Sequence, residues 1–160
     1  MLEEDKTYMS DILAAFRVSS FKLSETETRF KLIIKPDKPF TMQTLHSVQE
    51  LRDPVGIEID INSGVYLECL KKGSSRKRRR IRVETFDGEI PKKYDAPRFN
   101  KAIREVLSIQ DICEFDIRVD ENTLTISNLE SISYPVLKRI ESTGCSVEMN
   151  MVKSTLTLSL

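Results

Sequence analysis

The chain has 160 residues, enough for one cooperative core or two small fused lobes and for little more. Hydrophobic residues make up 39% and charged residues 31%, the balance of a folding globular chain rather than of a disordered tail or a membrane protein. Formal net charge is zero, yet sign is separated along the sequence. Residues 71–82 read KKGSSRKRRRIR, with eight bases and no acid, which leaves seventeen bases against twenty-five acids elsewhere, a net of −8.

From the N-terminus, Met9, Ile12, Leu13 and Phe16 fall at i, i+3, i+4 and i+7 and predict a helix. Phe21 and Leu23, then Phe30, Leu32 and Ile34, alternate on either side of a polar run at 24–28, the pattern of a hairpin. After Pro36 and Pro39 a second helix is expected with Thr41 as its cap and Met42, Leu45 and Val48 as its stripe. Asp53-Pro54 should end it, because proline lacks an amide donor and disfavours helix in the residue before it. Ile57, Ile59 and Ile61 alternate with Glu58, Asp60 and Asn62, a turn is expected at Ser63-Gly64, and a strand at 65–70.

Beyond the basic run, Ile81, Val83 and Phe86 suggest a strand ending near Asp87-Gly88. Residues 89–98, with Pro91 and Pro97, read as a linker, dividing an N-terminal half at 1–88 from a C-terminal half at 99–160, or as a join inside one continuous domain. Phe99, Ala102, Ile103, Val106 and Leu107 give a third helix. Phe115, Ile117 and Val119, a turn at 120–122, then Leu124 and Ile126 give another hairpin. A helix at 135–142 carries Val136, Leu137 and Ile140, with Gly144 suited to its C-terminal cap. Val147, Met149 and Met151, then Leu156, Leu158 and Leu160, close the chain as a final hairpin with core-facing methionines.

Residues 30–70 and 123–160 thus share the order strand, helix, strand, strand, and 57–70 lies over 147–160 without a gap in apolar pattern. The fold class expected is α+β: antiparallel sheet or sheets with helices packed on one face and a candidate tandem repeat, with two arrangements left open, units joined edge to edge into one curved sheet or separate sheets. The terminal run at 147–160 is expected to leave an open strand edge, through which a homo-oligomer would form.

No stretch approaches the ~20 apolar residues of a bilayer crossing, and the start is acidic where a secretory signal is basic. The expectation is an intracellular protein, of nucleus or cytoplasm, without a membrane partner. Cys69, Cys113 and Cys145 are odd in number and widely spaced, which fits reduced core thiols. They offer no C-x-x-C pair and His46 is the single histidine, so no zinc site or histidine base is expected, and His46 itself is read as exposed. Glu58, Asp60 and Glu68 share one hairpin, where alternating acids more often mark a solvent side than a magnesium site. The five glycines stand singly, so no phosphate-cradling loop is present, and neither a catalytic residue nor a cofactor is assigned.

The basic run carries the functional expectation. Lys71, Lys72, Arg76, Lys77, Arg78, Arg79, Arg80 and Arg82 would meet the phosphates of DNA or RNA, for which guanidinium forks are well shaped. No aromatic interleaving and no helix-turn-helix, zinc-finger or RNP pattern surrounds them, so binding would be directed at the backbone. Two other readings stay open. The run is also what an import signal or a solvated loop looks like, and an acidic protein surface would suit it in an adaptor or structural subunit of a larger viral or chromatin-linked assembly.

Overall fold

The structure, a computed structural model, describes residues 1–52, 56–74, 85–109 and 114–160. Its elements are helices α1 (Glu3–Phe16), α2 (Met42–Leu51), α3 (Asn100–Leu107) and α4 (Tyr134–Ser142), and strands β1 (Lys22–Glu25), β2 (Arg29–Ile34), β3 (Phe40–Thr41), β4 (Gly56–Asp60), β5 (Gly64–Leu70), β6 (Asp116–Val119), β7 (Thr123–Ser127), β8 (Ile132–Ser133), β9 (Ser146–Asn150) and β10 (Thr155–Ser159). The fold is α+β, with two antiparallel sheets.

Alternation in the strands decides which face is covered. Phe30, Leu32 and Ile34 of β2 and Val65, Leu67 and Cys69 of β5 are buried, while the residues between them are partly or wholly exposed. Residues Leu124 and Ile126 of β7, Val147 and Met149 of β9, and Leu156 and Leu158 of β10 repeat the pattern. The helices supply the matching apolar stripes: α1 packs on α2, α3 on α4, and α2 meets α4. Met149 and Met151 are core residues, as their spacing predicts.

The sheets run β1-β2-β5-β4-β8 and β3-β9-β10-β7-β6. These are one order written twice, since β1, β2, β5 and β4 of the first half correspond to β6, β7, β10 and β9 of the second. The fifth strand of each sheet comes from the other half. Phe40 and Thr41 of β3 pair with Met149 and Glu148 of β9, and Ile132 and Ser133 of β8 pair with Ile59 and Glu58 of β4. Of the two arrangements left open by the sequence, the fold takes separate sheets, which exchange a two-residue strand and so join the halves through backbone hydrogen bonds.

The repeat is present, but not in the ungapped register. Ile57 lies opposite Leu67 and Val147 opposite Leu158, so Leu67 corresponds to Leu158 and not to Thr157. Three residues link β4 to β5 and four link β9 to β10. A one-residue slip would turn the whole returning strand over, so burial decides the register against sequence spacing.

Several local expectations are corrected. Thr41 sits at the start of α2 with an extended backbone, but its hydroxyl makes no capping bond, and its backbone belongs to β3. Gly64 begins β5 instead of ending the turn, and it must be glycine, because a Cβ there would lie 2.8 Å from the Ile34 carbonyl oxygen. Gly144, at φ 98°, ends α4 as anticipated. The span 89–98 contains two short 3-10 turns and sends Tyr94 and Ala96 into the core, where Tyr94 stacks on Phe115 at 4.2 Å. The C-terminal strand is not an edge: β10 lies between β9 and β7. Ile81, Val83, Asp53, Pro54 and Cys113 lie outside the described residues, and Phe86 follows in irregular backbone.

Candidate nucleic-acid interface

Of the eight basic residues singled out, Lys71 and Lys72 are described; Arg76, Lys77, Arg78, Arg79, Arg80 and Arg82 lie outside the described residues. What the structure defines is the foot from which that segment continues. The backbone leaves β5 under constraint: Lys71 N–H donates to Thr28 O at 2.8 Å, Lys72 N–H donates to Asp5 Oδ1 at 3.1 Å, and Ser74 N–H closes a turn onto Lys71 O at 3.1 Å. Gly73 takes the left-handed conformation, φ 83°, that this turn requires.

Asp5 organises the foot. It is completely buried because its place in α1 falls on the same stripe as Tyr8, Ile12 and Phe16. A carboxylate there must be compensated. The Arg52 guanidinium, just past α2, donates to Asp5 Oδ1 at 2.5 Å and to Leu70 O at 3.3 Å. It lies 4.4 Å from the centre of the Tyr8 ring, and Tyr8 O–H returns a bond to Arg52 O at 2.9 Å. Beneath them Cys69 is buried against the Tyr8 hydroxyl, and burial pushes its thiol up to about 11. The thiol is protonated and inert in the folded protein at neutral pH.

Among the described residues around this centre, four cations each meet an acid. Lys72 Nζ contacts Glu4, Lys71 Nζ lies 3.4 Å from Glu25, and Lys6 lies 3.3 Å from Glu3. With Asp5–Arg52 this makes four bases matched to four acids. Lys71 and Lys72 are thus paired within the chain, through residues that the charge run alone did not single out.

The other candidates each have partners of their own. His46 is half-buried, not exposed, and bridges the halves: Nδ1 lies 2.6 Å from Tyr134 Oη and Nε2 2.8 Å from Glu141 Oε1, both on α4. Desolvation, then the Glu141 and Glu50 carboxylates, raise the Tyr134 phenol and keep its proton in place. The Tyr134 O–H donates to a neutral ring, or accepts from a protonated one, so both nitrogens are satisfied in either state. Glu58 accepts from Ser131 at 2.5 Å, Glu68 from Arg29 at 3.1 Å and Asp60 from the Asn62 amide at 3.0 Å, so the three acids have separate local partners. Among the described residues no group of three potential ligands is placed to hold a metal ion, and no helix is long and apolar enough to cross a membrane. An open cleft lined by Thr41, Glu141, Cys145, Glu148 and Ser159 lies between the start of α2 and the end of α4.

Compared with models of protein families, with curated proteins and with solved structures, the chain matches none.

Proposed function

We propose that this is a non-enzymatic nucleic-acid-associated protein that binds phosphate backbone through Arg76, Lys77, Arg78, Arg79, Arg80 and Arg82. The observation that carries the reading is six cations in seven consecutive positions without an acid, following directly on a pinned and charge-compensated foot. Arginine prevails among them, and its planar fork suits phosphate oxygens. Six neutralised phosphates would give a salt slope of about −5 on duplex DNA, from about −0.9 per contact. Gel-shift titration of duplex and single-stranded DNA and RNA probes at about 50 and 200 mM salt tests this. Strong salt-dependent binding is expected, and no binding at the lower salt rejects it.

A second reading, an adaptor or structural subunit that meets an acidic protein, is favoured by one feature. Among the described residues β1 is an edge strand, exposed throughout, and brings Leu23 and neighbouring Phe21 to the surface at 39% and 40% exposure. Light-scattering mass in solution separates the two: a stable oligomer indifferent to nucleic acid favours the adaptor, a nucleic-acid-binding monomer the first reading. A nuclear or cytoplasmic setting belongs to either proposal.

A further inference from the structure

The four acid–base pairs at the foot bear on where a polyanion can settle. Phosphate binding gains most of its free energy by releasing condensed counterions, one for each cation that neutralises a phosphate. A lysine already opposed by a carboxylate offers less, because the phosphate must displace that carboxylate and then sit beside it. Lys71 is the more enclosed of the two lysines, its side chain 19% exposed against Glu25, and its backbone is tied to Thr28. Lys72 is more open, but its amide is fixed on Asp5, and Glu3, Glu4 and Asp5 form the adjoining first turn of α1. Glu4 on α1 and Glu25 on β1 therefore each oppose one of two lysines whose backbone is tied down, and Asp5 holds the Lys72 amide.

We infer that Glu4 and Glu25 act as built-in competitors that hold Lys71 and Lys72 away from phosphate and so limit how tightly a polyanion is bound. The inference rests on the nucleic-acid reading and adds to it a device that sets affinity. The Lys72–Glu4 pair is exposed, and an exposed ion pair contributes little to folding. The effect of the two pairs on a third charged body is to remove two cations from the surface that it meets.

The experiment is a four-way cycle on the full chain, read as the slope of log affinity against log salt for one duplex DNA probe. The E4Q/E25Q variant should bind roughly tenfold tighter near 0.1 M salt, with a slope steeper by up to about 2. The K71Q/K72Q variant should leave the wild-type slope almost unchanged, and in the E4Q/E25Q background it should abolish the gain. If K71Q/K72Q alone flattens the wild-type slope by about 2, the lysines already touch phosphate and the inference is overturned. Tighter binding by E4Q/E25Q without a change of slope overturns it too. Should the wild type fail to bind while E4Q/E25Q binds, the competitor role holds and the nucleic-acid reading of the native chain falls. Binding by neither overturns both.

Discussion

When Ile12 of α1 is set level with Ile103 of α3, Asp5 meets Ala96 and Tyr8 meets Phe99. In the second half that end of the core is closed by apolar means: Ala96 and Phe99 are buried, Tyr94 stacks on Phe115, and a 3-10 turn at Pro97–Phe99 stands level with residues 6–8 of the continuous helix α1. In the first half the same end holds a buried carboxylate, the guanidinium bonded to it and the Tyr8 ring on which that guanidinium lies. Among the described residues that end closes on apolar side chains in the second half, so the charged version in the first half answers a need other than filling the core. Buried ion pairs are weak stabilisers relative to apolar packing, and their best-attested use is to fix geometry. Here the geometry fixed is the exit of β5, the place from which the arginine-rich segment continues.

The sharpest way to break this comparison is Asp5→Ala. It leaves Arg52 and the Lys72 amide without their acceptor and should cost about 3–5 kcal/mol in urea unfolding, a large share of a typical domain's stability. A loss below about 1 kcal/mol would mean the node is as dispensable as in the second half. Next in size is a pH effect at the same end of the core. Cys69 has a folded pKa of about 11 against an unfolded 9.0, so its contribution is intact below pH 9 and is lost as pH rises through 11. The difference between wild type and Cys69→Ala should shrink across that interval by up to about 3 kcal/mol. A difference that does not vary with pH contradicts the burial argument.

Smaller effects test how the halves are joined. His46→Ala removes two hydrogen bonds across the α2–α4 contact, which is partly exposed, and should cost about 1–2 kcal/mol by thermal or urea unfolding. Thr41→Ala should change stability by less than about 0.5 kcal/mol, since no capping bond is lost. A loss of about 1 kcal/mol or more would restore the cap inferred from sequence.

Much of the frame was legible because burial imposes periods of 2 and 3.6 on the sequence, as at Ile57, Ile59, Met149 and Ile103. The exchange of β3 and β8 was not, because two-residue strands carry no period and their partners lie about 75 and 110 residues away. The extra residue between β9 and β10 was hidden because Thr and Leu alternate through β10, so either register looks regular until burial is known. At the candidate site the charge run was visible, but its partners were not. Asp5 did leave a trace: it lies three and seven residues before Tyr8 and Ile12, an acid on a buried stripe. Glu4 and Glu25 left none, since surface acids near a helix start or strand end are ordinary.

The claim on which the functional account rests is that the segment beyond the foot meets phosphates. Fluorescence anisotropy of the intact chain and of R78S/R79S/R80S on one duplex, over a series of salt concentrations, measures this directly. The account predicts a wild-type slope of about −5, flattened by about 3 in the variant while its unfolding midpoint is unchanged. Equal slopes for the two proteins, or no wild-type binding at low salt, would contradict it.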